Sequence, residues 1–217
     1  MADFTLYIGN KNYSSWSLRA WLMLKQSGAR FEEVLVPLRE ATTRTTILRH
    51  SPSGRVPALH HGELVLWESL AIGEYLAERF PAARMWPEEP AARAVARAVS
   101  AEMHAGFSAL RSHLPMNMRS SFAARGVTPE AQADINRVTA LWRDCRKRFG
   151  AEGKFLFGDI TIADAMYAPV VSRFRTYRLA LEEEAQRYAD AVWALPALQE
   201  WAAAAGNEPM VIEEFEF

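Results

Sequence analysis

The chain has 217 residues, 50% of them hydrophobic and 24% charged, and its 25 Lys and Arg against 26 Asp and Glu leave a formal charge of −1. That balance suits a globular protein with a full core and excludes the strong basic excess of a nucleic-acid binder. No apolar run reaches the roughly 20 residues of a membrane span. The lone Cys145 excludes an internal disulfide, a CxxC pair and a cysteine zinc cage. Met1-Ala2-Asp3-Phe4 lacks the basic-then-apolar order of a secretory leader, so a cytoplasmic location is expected.

Thr5-Leu6-Tyr7-Ile8, ended by Gly9-Asn10, predicts a strand. Leu18, Trp21, Leu22 and Leu24 recur at helical spacing before Gly28, which predicts a helix closed by that glycine. Phe31 to Leu38 predicts a second strand, with Pro37 favouring an edge position. Val56-Pro57-Ala58-Leu59, a His60-His61-Gly62-Glu63 turn and Leu64-Val65-Leu66-Trp67 read as a hairpin. Ser69 is placed to cap a helix carrying Leu70, Ile72, Tyr75 and Leu76, stopped by Pro81. The order is βαβ then ββα, a small mixed α/β layer over residues 1–80.

Pro81, Pro87 and Pro90 make 81–90 an ordered linker. Residues 91–217 carry no strand signal and predict an all-helical domain. Ala91 to Leu114 reads as one helix. Thr128-Pro129-Glu130 has the cap, proline and acid of a helix start, and that helix runs to Gly150. Thr161-Ile162-Ala163-Asp164 resembles a capping box, and Leu195-Pro196-Ala197-Leu198 opens a last short helix through Trp201.

Two stretches bear on chemistry. Tyr13-Ser14-Ser15-Trp16-Ser17-Leu18-Arg19 opens the first helix, whose N-terminal N–H groups and partial positive charge stabilise an anion. A serine hydroxyl there donates to the same anion or merely caps the helix. Ser53-Gly54-Arg55-Val56-Pro57-Ala58-Leu59 places a proline at a strand start, a candidate cis bond that would turn the Val56 backbone outward to pair with an extended peptide. Glu68-Ser69, where a strand meets a helix, offers N–H groups to a carboxylate or is a plain cap.

Taken together, these segments resemble the glutathione transferases along nearly the whole chain. The first domain matches their thioredoxin-like order, Val56-Pro57-Ala58-Leu59 their cis-proline motif, Glu68-Ser69 their glutamate/glutamine-serine pair, and Gly158 to Asp164 their helical-domain capping segment. Ser14-Ser15-Trp16-Ser17-Leu18-Arg19 is similar to the Ser-Ser-Cys-Ser-x-Arg segment of the zeta class, with Trp16 where that class has cysteine. The resemblance implies a homodimeric, metal-free transferase that uses glutathione as co-substrate against a hydrophobic electrophile. It implies that Ser14, with Ser15 or Tyr13 as alternatives, holds the thiolate. Val56 after Arg55 and before Pro57 would pair with the cysteinyl backbone, Glu68 and Ser69 would take the γ-glutamyl end, and Arg55 or Arg44 the glycyl carboxylate. Glu102 would reach the partner's γ-glutamyl amine. A zeta-like isomerase, a thiol-dependent dehalogenase and a non-catalytic binding protein of the same fold remain alternatives.

Among the other residues, Met103 and Phe107, with Met116 and Met118, line an apolar acceptor pocket or pack the core. Cys145 among Arg143, Arg146, Lys147 and Arg148 reads as a passive helical cysteine, and His60 and His61 read as turn residues.

Overall fold

The computed structural model describes residues 3–123, 125–150 and 153–216. Strand β1 (Phe4–Ile8) leads into helix α1 (Ser15–Ser27) and returns parallel as β2 (Phe31–Leu35). A short helix α2 (Thr43–Leu48) precedes β3 (Ala58–His61), β4 (Leu64–Trp67) and α3 (Ser69–Arg79). The sheet order is β2-β1-β3-β4, with β3 antiparallel to both its neighbours and β2 at an edge, as Pro37 implied. From Phe4 to Ile8 alternate residues are buried against α1 and α3, the alternation of a strand covered on one face.

Helix α1 starts where the Ser14 side chain accepts from the Ser17 N–H and ends at Gly28, whose φ of 76° suits glycine. The Ser17 hydroxyl accepts from the Gly9 N–H at 2.9 Å, which ties the end of β1 to the helix start. Gly73 lets α3 approach α1 closely: a Cβ there would sit 2.7 Å from the Met23 sulfur.

Beyond a 3-10 turn at Pro81–Ala83 the described residues form helices α4 (Pro90–Ala105), α5 (Ser108–His113), α6 (Pro129–Phe149), α7 (Ile162–Thr176), α8 (Glu183–Trp193) and α9 (Pro196–Gly206). Thr128 caps α6 through the Ala131 N–H, and Gly150 follows its end. Every residue of α7 except Arg175 is buried, so this helix is the axis of the molecule, packed against α1, α4 and α8. Asp164 at its start is wholly buried, and its carboxyl accepts from Thr161 N, Thr161 Oγ1, Leu156 N and Tyr188 Oη. Burial raises its pKa to about 6.

Several expectations are corrected. The Ala91–Leu114 run is two helices. Gly106 and Phe107, the latter left-handed with φ 59°, break it, and Arg111 of α5 turns back to donate to the Met103 and His104 carbonyls that end α4. Ser69 is the first residue of α3 rather than its cap; Glu68 holds the cap position without a side-chain bond. His60 and His61 belong to β3, and the turn is Gly62-Glu63. The His60 ring contacts the His50 carbonyl and the His61 ring the Tyr75 hydroxyl. Helices α2 and α8 were not foreseen.

Candidate functional site

Two adjoining cavities, of about 480 and 450 Å³, lie where the N-terminal ends of α1 and α3 face α4, α5 and α7; they share Trp16, Arg55, Val56 and Arg111. The second is bounded by Glu68, Ser69 and His104. Ser69 is wholly buried, and its hydroxyl has no hydrogen-bond partner. A buried polar atom without a partner is costly in a folded protein and calls for a ligand or water. Glu68 beside it has φ 67°, a conformation that non-glycine residues occupy mainly at functional positions. Its carboxylate lies 3.3 Å from His104 Nε2. Burial, opposed by Glu68, lowers the His104 pKa, so the ring is neutral at pH 7. The Val56–Pro57 peptide is cis, as the resemblance implied.

In the first cavity the three residues that open α1 differ sharply. Ser14 Oγ donates to Ser17 Oγ at 2.7 Å and accepts from its N–H, so the single hydroxyl proton is committed to the helix. Ser15 Oγ is 3.4 Å from Arg173 Nη2, from which it accepts, and its own proton is not committed. The Tyr13 hydroxyl donates to Glu216 at 2.5 Å and accepts from Arg119 and from the Ile212 N–H, clamping the C-terminal tail. Burial and Glu216 raise its pKa. The tail supplies Ile212 and Phe215 to the wall opposite Ser15, alongside Pro115 and Met116.

The family model described as the glutathione S-transferase N-terminal domain matches residues 13–79, the segment from Tyr13 through the Glu68-Ser69 pair to the end of α3. Over that segment the chain is a glutathione S-transferase-type N-terminal domain. Among curated relatives, a probable maleylacetoacetate isomerase of Caenorhabditis elegans is 29% identical over 178 residues, covering 81% of each chain. The maleylacetoacetate isomerase of Rattus norvegicus is 28% identical over 183 residues, covering 81% of this chain and 80% of that one. A solved glutathione transferase homolog from Burkholderia gl BGR1 with bound glutathione is 27% identical, with TM-score 0.72 over 96% of this chain and all of that one. A diazinon-metabolizing glutathione S-transferase of Bombyx mori, 16% identical, shares the fold at TM-score 0.75 over 95% of this chain and 98% of its own. This is the glutathione transferase architecture, a thioredoxin-like sheet unit followed by helices, as expected.

Of the residues proposed from sequence for a transferase site, Ser14, Ser15, Arg55, Val56, Pro57, Glu68 and Ser69 line one or both cavities. Arg44 does not; it is exposed on α2, while Arg39 and Thr43 reach the wall. Met103 and Phe107 are packed into the core, because α4 ends and turns there, and the apolar wall is built instead by Pro115, Met116, Ile212 and Phe215. Glu102 is held by Arg137 of its own chain at 2.7 and 2.9 Å. Cys145 is buried, which pushes its thiol up to about 12. No group of three His, Cys, Asp or Glu suited to a metal occurs among the described residues, nor any helix long and apolar enough to cross a membrane.

Three side chains of the site had been given no role: His104 and Arg111 from α4 and α5, and Arg173 from α7. The run Ala168 to Phe174 carried a signal, since Arg173 is the one charge in an otherwise small and apolar helical segment. The other two are brought in only by the packing of α4 and α5 near the start of α1.

Proposed function

We propose that the protein is a glutathione transferase, with residues 1–80 binding glutathione, 81–90 as linker and 91–217 supplying the acceptor site. The observation that carries the reading is the buried, partnerless Ser69 hydroxyl at the start of α3. There it would receive the γ-glutamyl carboxylate together with the helix N–H groups. Glu68 would exchange its contact with His104 for the γ-glutamyl ammonium. The Val56 backbone would pair with the cysteinyl residue, and Arg55 rather than Arg44 would take the glycyl carboxylate.

The thiolate is assigned to Ser15. A free thiol has a pKa near 8.5, and lowering it by about 2 units requires about 2.7 kcal/mol. One charge-assisted hydrogen bond contributes about 1.5–3 kcal/mol, and a helix start about 0.3–1 kcal/mol. The Ser15 hydroxyl can supply the first because its proton is uncommitted and Arg173 holds its oxygen; Ser14 would first have to release Ser17. The sum meets the requirement without a general base. A hydrophobic electrophile would lie against Met116, Ile212 and Phe215. The sulfur then forms a bond to the electrophilic carbon, and the leaving group departs with its bonding pair.

The curated relatives favour a second reading, a glutathione-dependent cis–trans isomerase, with Trp16 in place of the zeta cysteine as the point of departure. A homodimer is part of the proposal, and light scattering at micromolar concentration checks it. Isothermal titration with millimolar glutathione tests the reading itself: saturable binding supports it, and no heat of binding removes it. Parallel turnover assays with an aryl halide and with maleylacetoacetate then decide between transferase and isomerase.

A further inference from the structure

We infer that His104 is a proton-sensitive positioning residue at the γ-glutamyl end of the crevice: once protonated it pairs with Glu68 and excludes the ammonium of glutathione, so that the proton and glutathione bind antagonistically. This rests on the transferase reading and names a control on its glutathione site.

His104 is the next-to-last residue of α4 and lines the second cavity with Glu68 and Ser69. Its backbone is fixed, because its carbonyl accepts from Arg111 Nη2 at 3.0 Å. Its ring meets the Trp16 ring edge-on, with 5.2 Å between centres and 70° between planes, which sets its orientation. Nε2 is thereby held 3.3 Å from the Glu68 carboxylate, while Nδ1 is buried without a hydrogen-bond partner. A neutral imidazole carries one N–H, and the contact with Glu68 places it on Nε2. Glu68 is the one acid among the described residues that line this cavity. The ammonium of glutathione and the His104 ring therefore compete for a single carboxylate.

Charged groups act on the ring from each neighbouring element. Burial holds its pKa below the ordinary 6.5; Glu68, ahead of α3, opposes this, and Arg19 of α1 and Arg111 of α5 add to it. Arg55, ahead of β3, lies on the same cavity wall. At pH 7 the ring is neutral, and a neutral N–H at 3.3 Å is a weak hold on a carboxylate. An ammonium displaces it with a charge-assisted hydrogen bond of its own.

Protonation reverses the balance. The ring becomes a cation, its contact with Glu68 becomes an ion pair, and an arriving ammonium meets a positive neighbour instead of an available carboxylate. The coupling is reciprocal. Bound glutathione, by occupying Glu68 and adding a cation, lowers the His104 pKa further. Affinity for glutathione is accordingly full above the pKa of His104 in the free protein and is lost as the pH falls through it.

The test measures the Kd of S-methylglutathione by calorimetry between about pH 7 and 5. Over that range this ligand keeps its ammonium and both carboxylates charged, and it has no thiol to ionise. The wild-type Kd is expected to rise at least about fivefold, the lower end of such couplings. In His104→Gln, whose amide N–H replaces Nε2 without titrating, it should change by less than about twofold. Asp164 titrates at about 6 in both proteins and cancels from the comparison. The His104 ring protons, assigned through their contacts with Trp16, are followed by NMR against pH in the wild type. Saturation with S-methylglutathione should lower the midpoint of their titration by at least about 0.7 pH units, the same fivefold. Equal midpoints in the free and saturated protein overturn the inference, as does a wild-type Kd that stays flat or rises no more than that of His104→Gln. If the variant does not fold, the wild-type midpoints decide alone. If the ligand binds at pH 7 and the midpoint does not move, this inference alone fails; if glutathione does not bind at pH 7, the transferase reading fails with it.

Discussion

Replacing Ser69 by alanine should strengthen the free protein while weakening its hold on glutathione. The hydroxyl is wholly buried at the first position of α3 and has no partner. A buried hydroxyl left unpaired costs about 1–3 kcal/mol, and alanine is the better helix former. Removing it should therefore raise stability by about 1 kcal/mol, or the melting temperature by about 2–4 °C for a chain of this size. In the complex the same hydroxyl would meet a carboxylate, where its loss removes about 1.5–3 kcal/mol, roughly a 10–150-fold increase in Kd. Differential scanning calorimetry on the free protein and titration calorimetry with glutathione read the two effects separately. A lower melting temperature with affinity unchanged would refute the reasoning, because the hydroxyl would then be an ordinary structural cap.

Ser15→Ala should move the acid limb of the kcat/KM pH profile up by at least one unit, whereas Ser14→Ala should leave the limb in place and cost about 1 kcal/mol of stability as a lost helix cap. Tyr13→Phe removes the hydroxyl that joins Glu216, Arg119 and Ile212. It should raise KM for the electrophile with little effect on glutathione affinity; a shifted pH profile would instead make Tyr13 the thiol partner. Asp164 titrates at about 6 in the fold and near 4 when unfolded, so between those values the folded chain holds a proton that the unfolded chain has released. Wild-type stability relative to Asp164→Asn should accordingly grow as pH falls from 7 to 4.5, by at most about 3 kcal/mol, as read from urea midpoints.

What was legible in the sequence follows from how locally each feature is encoded. Strands β1, β3 and β4, helix α1 with Gly28, and the starts of α6 and α7 carry caps, glycines or alternation within a few residues. Helix α2 is six residues long with only Ile47 buried, too short for a helical period to register. The break at Gly106-Phe107 is invisible in an alanine-rich run, because it is made by Arg111 reaching back across the turn and by Asp134 of α6 accepting from Leu110. Helix α8 did carry its signal, with Ala185, Tyr188, Ala189 and Val192 buried at helical spacing. The glutathione half of the candidate site was legible because its residues flank two helix starts. Its acceptor half was not, since α5, the segment after it, α7 and the tail contribute one or two residues each from distant parts of the chain.

The central claim is that glutathione is bound and ionised at the start of α1. Absorbance near 240 nm, followed while glutathione is titrated into the wild-type protein at pH 7, tests it most directly. The account predicts a saturable thiolate signal approaching one thiolate per chain, reduced in Ser15→Ala. Glutathione that saturates the protein without any thiolate absorbance, or no saturable change at all, would contradict it.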